Sequence, residues 1–175
     1  MFVDMSTFET ALVCLPDDPL GWNGRLLIPE AVVAALGADH KQRYVCRVEG
    51  LGEWHCALAS DGRGGRYVIF NKARVKAVRE GGLDPERLRV TLTPDDSPYG
   101  APMPEELGAL LAADSLFDTY FHELTPGKQR NLIYLVAKYK TEATRLRKAV
   151  AVAEYLVEAR GRLDFKGLIA WMKGR

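Results

Sequence analysis

The 175-residue sequence predicts an α+β fold in two parts, because the spacing of its apolar residues changes once along the chain. Up to about residue 97, short apolar stretches alternate with polar residues, which is the period of half-buried β-strands. From Pro104 onward, apolar residues recur every three or four positions, as on one face of a helix. Between the two patterns, "TPDDSPYGAPMP" holds four prolines and a glycine in 12 residues, which is typical of a linker. We therefore predict a small β domain over residues 1–97 and a helical module over residues 98–175.

Six stretches of the β domain alternate as strands do, and in chain order they are "TFETALVCL", "RLLI", "YVCRVE", "WHCAL", "RYVIF" and "LRVTL". The first reads as one continuous strand, because its apolar side runs through Phe8, Leu12 and Cys14. "LLIPEAVVAALGADHKQRYVCRV" can be laid over "VIFNKARVKAVREGGLDPERLRVTL", and each copy reads strand, short helix, turn, strand. One such unit cannot bury its apolar face alone, whereas two can bury theirs against each other. The expected result is a small closed or partly open β-barrel of six or seven strands, built from a duplicated strand-helix-strand unit.

The three cysteines, Cys14, Cys46 and Cys56, are too few and too uneven in number for a disulfide framework. A symmetric hairpin loop over residues 50–52 would place Cys46 directly opposite Cys56. We favour two small buried apolar side chains there, with a redox pair or a metal site as the alternative. Because no further ligands are suggested, we predict no metal and no cofactor.

The residues after the linker predict a module of four or five helices. Asp114 can cap a helix with an aromatic side, and Thr125 followed by Pro126 is typical of the start of the next helix. A long helix is expected over about residues 142–160, and Asp164 can cap a last short one. The positions expected to be buried in the long helix are Leu146, Ala149, Val150, Ala153, Leu156 and Val157.

The stretch "LIPEAVVAALGADHKQRYVCRV" resembles the strand, Ile-Pro, short helix and Leu-Gly unit of AbrB/MazE-like swapped-hairpin proteins. Through "IPEAVVAALG", "WHCALASDGRGGRYVIFNKARVKA" and "LDPERLRVTL", residues 7–95 resemble the small β-barrel domain that precedes the helical module of the YdeI/OmpD-associated, or bacteriocin-protection, family. The helical part resembles that module in its Asp-capped aromatic helix, its Leu-Thr-Pro and its "AKYKTEATRLRK". It departs at Tyr134-Leu135-Val136, where such modules usually carry a tryptophan. The resemblance implies a role in bacterial resistance to antimicrobial peptides or in envelope stress, but no chemistry.

Composition and charge narrow the classes of function. No apolar run approaches the roughly 18 residues that span a membrane, and the first residues lack the basic start and apolar core of a signal peptide. A cytoplasmic location without membrane insertion is therefore expected. The net charge of +1 hides an asymmetry, because 12 Lys and Arg stand against five Asp and Glu from His122 onward. A duplication within one chain is compatible with a monomer.

The stretch "GRGGRYVIFNKARVKAV", residues 62–78, combines a glycine-rich start with several cations. It lacks the Gly-Lys-Ser/Thr ending of a phosphate-binding loop, so we favour a hairpin turn in which glycines adopt positive φ. The alternative is a phosphate-contacting patch on the β domain formed by Arg66, Lys72 and Lys76. Lys72 and Lys76 are four residues apart and can share one face of a helix.

A second basic cluster lies in the helical module, and its candidate binding residues are Lys138, Lys140, Arg145 and Lys148. One interpretation is an ordinary solvated helix face. The functional interpretation is a contact surface for an acidic protein, for nucleic acid or for the β domain of the same chain.

No catalytic residue is predicted. His122 lies on the aromatic helix, but no recognisable motif supplies a serine or cysteine nucleophile for it. The acidic pairs beside prolines, Asp17 with Asp18 and Asp95 with Asp96, are interpreted as turn residues rather than as general acids and bases.

The expected function is therefore that of a non-enzymatic binding protein. Two alternatives stay open. An AbrB-like nucleic-acid-binding regulator would bind DNA or RNA with a steep dependence on salt. A small-ligand-binding protein or enzyme would carry a mostly apolar pocket between the β domain and the helices.

Overall fold

The computed structural model describes residues 6–15, 24–37 and 42–173 of the chain. The residues cluster into two compact units, Met1–Asp96 and Ser97–Arg175. All of the described strands belong to the first unit, which we call the sheet unit, and the second is the helical unit. The turn predicted at Asp17 and Asp18 lies outside the described residues.

The described part of the sheet unit contains two four-stranded antiparallel sheets. The strands are β1 (Ser6–Thr10), β2 (Leu12–Cys14), β3 (Gly24–Ile28), β4 (Arg43–Val48), β5 (Gly52–Ala57), β6 (Ala59–Ser60), β7 (Arg66–Phe70) and β8 (Leu88–Pro94). The first sheet has the strand order β1-β8-β4-β5, and the second has the order β2-β3-β7-β6. Two short helices, α1 (Glu30–Leu36) and α2 (Lys72–Glu80), follow β3 and β7.

Neither sheet closes into a barrel among the described residues, so the closed form of the predicted barrel is wrong. The stretch predicted as one continuous strand divides at Ala11, because β1 pairs with β8 whereas β2 pairs with β3 of the other sheet. Leu58 divides β5 from β6 in the same way. Since the ladder of hydrogen bonds stops where the chain changes sheets, two separate sheets result, as in packed two-sheet folds. Buried residues of both sheets form one core, in which Leu26 and Val90 are fully enclosed.

The two stretches proposed as a repeat have the same order of elements, β3-α1-β4 and β7-α2-β8. Their first strands pair with each other, with Leu26 opposite Val68, and their second strands pair with each other, with Cys46 opposite Leu92. This arrangement has the form that a duplicated unit would take. Duplication of the sequence itself stays a prediction.

The hairpin between β4 and β5 has a different register from the one predicted. Gly52 already belongs to β5 and pairs with Val48, so the loop is residues 49–51 rather than 50–52. Cys46 therefore lies opposite Trp54, and the prediction that it faces Cys56 directly is wrong. Because the register moves by two residues, both cysteines stay on the same buried face as diagonal neighbours.

The helical unit consists of α3 (Glu105–Ala113), α4 (Ser115–Glu123), α5 (Pro126–Ala137), α6 (Glu142–Glu158) and α7 (Phe165–Lys173) in its described part. The predicted cap at Asp114 is confirmed, because its carboxylate accepts the backbone N–H groups of Leu116 and Phe117, each at 3.0 Å. Pro126 is the first residue of α5, as predicted. Asp164 precedes α7 and accepts the N–H of Gly167 at 2.8 Å, so that cap is confirmed too.

Helix α6 lies at the centre of this unit and contacts the other four helices. It buries alanines at Ala149, Ala151 and Ala153, whose small side chains let neighbouring helices approach closely. The expected burial of Leu146 is wrong, since 47% of it is exposed. Across the described ranges, every helix is too short or too polar to cross a bilayer.

Candidate anion-binding cleft of the helical unit

The four cations predicted as a basic helical surface lie around the junction of α5 and α6. Lys138 follows the last residue of α5, Lys140 lies in the connecting turn, and Arg145 and Lys148 belong to α6. Lys138 and Lys140 are exposed, whereas Arg145 and Lys148 are partly buried. The fold therefore gives these four side chains different environments.

Arg145 forms an ion pair within the helical unit. Its Nε donates to both carboxylate oxygens of Glu106, at 2.9 and 3.0 Å, and its Nη2 lies 2.7 Å from Oε1. Glu106 is only 7% exposed, and the hydrogen bond from Arg145 lowers the pKa of its carboxyl. Nη1 of Arg145 also donates to the carbonyl oxygen of Lys140 at 3.1 Å. Arg145 thus ties α3 to the turn between α5 and α6, and this structural role accounts for its guanidinium.

Lys148 also serves the packing of helices. Its Nζ donates to the carbonyl oxygen of Met172 at 2.6 Å, near the end of α7. The last carbonyl groups of a helix have no partners within that helix, and a lysine is a favourable partner for them. This bond fixes α7 against α6 and brings the ammonium group of Lys148 to the end of α7.

These contacts create a cleft of about 270 Å³, which we call the lysine cleft. Its lining residues are Leu135, Lys138, Tyr139, Lys148, Ile169, Met172 and Lys173. Three are lysines, from α6, α7 and the residue after α5, and none of these lining residues is acidic. Lys138 Nζ lies 5.2 Å from the centre of the Tyr139 ring, within the range of a cation–π contact. The cleft therefore presents positive charge beside the apolar side chains of Leu135, Ile169 and Met172.

Sequence reasoning missed Lys173 and Ile169 as site residues. In the last helix, Leu168 is buried in the core, but 40% of Ile169 is exposed at the cleft. Lys173 follows Ile169 by four residues, so the two share one face of α7. That spacing was a usable signal, but nothing local indicated that this face would meet Lys138.

The comparisons with known proteins concern this unit. Residues 101–158 match the family model described as OmdA: Bacteriocin-protection, YdeI or OmpD-Associated. Over these residues the chain is similar to the OmdA domain. The matched segment contains Lys138, Lys148 and the Glu106–Arg145 pair, while Lys173 lies beyond it. No curated protein and no solved structure matched the chain. Similarity of the sheet unit to AbrB-like barrels stays a prediction.

Unlike the cations of the OmdA domain, Arg66, Lys72 and Lys76 of the sheet unit do not converge. Arg66 is the first residue of β7, and Lys72 comes after the other end of that strand. Six residues of extended chain separate positions by about 20 Å. Lys76 lies 3.5 Å from the carboxylate of Glu80, in an exposed pair one helical turn apart. The structure therefore places these three side chains at separate points of the sheet unit.

The glycine-rich stretch is the predicted hairpin turn, between β6 and β7. Asp61 Oδ1 accepts the backbone N–H groups of Arg63 at 2.8 Å and Gly65 at 2.9 Å. Gly62 and Gly64 have φ values of 79° and 97°, a conformation that favours glycine. The loop's own carboxylate thus occupies the N–H groups that a bound phosphate would require.

Cys46 and Cys56 are buried and contact each other. A hydrogen bond with Cys56, together with burial, raises the pKa of the Cys46 thiol. A protonated thiol is a poor metal ligand and a poor nucleophile. No group of three or more His, Cys, Asp or Glu that could hold a metal ion was found among the described residues. Two buried packing side chains therefore describe this pair best.

A pair that sequence reasoning missed joins His55 to Asp95. His55 Nδ1 lies 2.6 Å from Asp95 Oδ2, and the Asp95 side chain is only 2% exposed. Asp95 was interpreted as a turn residue, since nothing in the sequence relates two positions 40 residues apart. A carboxylate on Nδ1 orients an imidazole as in catalytic triads, but the His55 contacts described here include no nucleophile.

A second cavity, of about 690 Å³, lies over the polar face of the first sheet. Its lining includes Arg47 and Arg89, but also Glu49 and Glu53. Arg89 Nε lies 3.8 Å from the Glu49 carboxylate. Because cations and carboxylates are mixed, this cavity selects neither sign of charge, unlike the lysine cleft.

Proposed function

We propose that this chain is a non-enzymatic cytoplasmic binding protein that holds an anionic partner in the lysine cleft. The observation that carries the proposal is that Lys138, Lys148 and Lys173 line one small cleft. These lysines come from three different parts of the chain. Like charges around a small space repel one another, and an anion between them removes that repulsion. The cleft is therefore arranged for a negatively charged group.

The apolar wall makes these charges more effective than separate surface lysines. Opposite charges 4 Å apart attract by about 1 kcal/mol in bulk water and by about 4 kcal/mol at the effective dielectric constant of 20 typical near a protein surface. An isolated exposed ion pair contributes little. Leu135, Ile169 and Met172 exclude part of the water from the cleft, so an anion there is attracted more strongly than at exposed Lys140.

The description of the matched family supports a role in protection against bacteriocins. Many membrane-active peptides carry Lys and Arg on their polar face. A basic cleft repels such peptides rather than sequestering them. The proposed partner is therefore an anionic component of the protected cell, and not the attacking peptide.

A titration of isotope-labelled protein with sodium acetate, followed by NMR, tests the proposal. Signals of Ile169 and Lys173 are expected to shift along one saturation curve, while those of Lys72 and Lys76 stay in place. A double variant, Lys138→Gln with Lys173→Gln, should lose the shifts. Equal shifts at Lys72 and Lys76, or shifts that persist in the double variant, would contradict the proposal.

Binding of a short DNA duplex to the same protein tests the alternative of a nucleic-acid partner. Three lysines line this small cleft and can contact few phosphates, so a short DNA duplex should bind weakly and without steep salt dependence. Tight duplex binding that falls by orders of magnitude between low and physiological salt would instead favour the nucleic-acid-binding alternative.

A further inference from the structure

The volume of the lysine cleft restricts what can occupy it. About 270 Å³ corresponds to roughly nine water molecules, at the ~30 Å³ that each takes in the liquid. Small-molecule pockets usually run from about 300 to 1,000 Å³. A group of about nine heavy atoms fits, such as one apolar side chain beside a carboxylate. A nucleotide or a long acyl chain would extend beyond this space, which is open to solvent.

The wall of the cleft selects an apolar group as well as a charge. Ile169 is 40% exposed and lines the cleft together with Leu135 and Met172, so the three side chains offer apolar contact beside the lysines. Met172 beneath it is 4% exposed, and its flexible thioether adapts to groups of different shape. A simple inorganic anion would leave this apolar wall uncovered. The occupant therefore carries an apolar group between its negative charges.

The surface next to the cleft extends this apolar character. Tyr134 lies four residues before Lys138, on the same face of α5, and 40% of it is exposed. Exposed tyrosines are frequent anchors of protein interfaces. Contact beyond the cleft favours a partner that is larger than the cleft itself.

We infer that the occupant is an acidic segment of another protein, in which one large apolar side chain is flanked by Asp or Glu. This inference rests on the proposed anion-binding function and names the class of partner. The apolar side chain enters between Leu135, Ile169 and Met172. The flanking carboxylates lie near Lys138 and Lys173, and the chain continues over Tyr134.

Fluorescence anisotropy with short labelled peptides tests the inference. The first peptide is rich in Glu with one central Leu, the second replaces that Leu with Ala, and the third replaces every Glu with Lys. The affinity of the Leu peptide should be at least about 10-fold higher than that of the Ala peptide, which is the effect expected for burying a leucine side chain. The Lys peptide should not bind.

Variants assign the effect to the cleft. Ile169→Ser should weaken binding of the Leu peptide severalfold and leave binding of the Ala peptide almost unchanged, because only the Leu side chain contacts the apolar residues of the cleft. Lys138→Gln with Lys173→Gln should weaken both acidic peptides. Lys72→Gln with Lys76→Gln leaves the cleft intact and should weaken the binding of neither acidic peptide. Circular dichroism checks that each variant is folded.

The outcomes separate this inference from the function on which it rests. If acetate shifts the cleft signals but Leu and Ala peptides bind equally, the anion site stands and the anchored peptide is wrong. If neither acetate nor any peptide reaches the cleft, both are wrong. Tighter binding of dodecanoate than of the Leu peptide would overturn the inference in favour of a lipid-like ligand.

Discussion

The two basic regions of this molecule differ in what their cations contact. In the sheet unit, four cations have partners within that unit: Lys76 with Glu80, Arg87 with Glu9, Arg25 over the Tyr67 ring and Arg74 over the Trp54 ring. In the helical unit, Lys138 and Lys173 border one cleft whose lining residues include no acid. A run of cations therefore suggests a binding site where the fold collects them around one space whose lining holds no acid.

The largest effect on peptide affinity is expected when the charge of each basic region is reversed. Lys138→Glu with Lys173→Glu should weaken the acidic Leu peptide by roughly 100-fold, because like charges juxtaposed at an interface cost several kcal/mol. Lys72→Glu with Lys76→Glu changes the net charge equally and should leave affinity within about twofold, because neither residue lines the cleft. Anisotropy titrations of both variants provide the measurement. Equal losses would mean that net charge, and not the cleft, controls binding.

A smaller effect, on the melting temperature, is expected from removing the structural cation Arg145. Arg145→Met leaves the Glu106 carboxylate buried without its bidentate partner, so the melting temperature should fall by several degrees. Lys140→Met removes an exposed cation of the same turn and should leave the melting temperature almost unchanged. Calorimetry measures both. A stable Arg145→Met protein would show that the ion pair does not hold α3 in place.

The same pair predicts a dependence on pH. Arg145 lowers the pKa of Glu106 in the fold, so the ionised carboxylate stabilises the folded state above the ordinary glutamate pKa of about 4.3. This contribution is lost as the pH falls through the lowered pKa. Urea unfolding between neutral and strongly acidic pH should show a decline in the wild-type protein that is reduced in Glu106→Gln. Parallel profiles of the two proteins would contradict this account.

The smallest effect concerns the glycine-rich hairpin. Asp61→Ala removes the acceptor of two backbone N–H groups, at Arg63 and Gly65, and should lower the free energy of unfolding by about 1 kcal/mol. Asp61→Asn keeps a side-chain oxygen at the same position and should retain most of that stability. Urea denaturation compares the two. If both variants were as stable as the wild type, the carboxylate would not organise this loop.

Features that depend on neighbours in sequence were predictable. Asp114 and Asp164 cap helices because a side chain can reach N–H groups two or three residues onward, whatever the rest of the fold does. The change of sheets at Ala11 and the register at Gly52 were not predictable, because both depend on which distant strand supplies hydrogen bonds. The period of alternation is the same in either case.

The candidate site shows the same limit. Lys138 and Lys148 were identified as candidates by charge alone, and Arg145 was grouped with them. Nothing local reveals that Glu106, 39 residues away, meets Arg145, or that Lys173 meets Lys138 across a cleft. Sequence therefore indicated which helices carry the charge, while only packing shows which of the charges converge.

A charge-swap cycle tests whether Lys173 and the lysine cleft bind the partner. Lys173→Glu is combined with an acidic Leu peptide in which one flanking Glu is replaced by Lys, and all four pairings are measured by anisotropy. If the cleft holds the acidic segment as proposed, each single change weakens binding and the swapped pair recovers much of the loss, with a coupling of about 1 kcal/mol or more. Additive losses at every flanking position of the peptide, with no recovery in any swapped pair, would contradict the claim that Lys173 and the lysine cleft bind the partner.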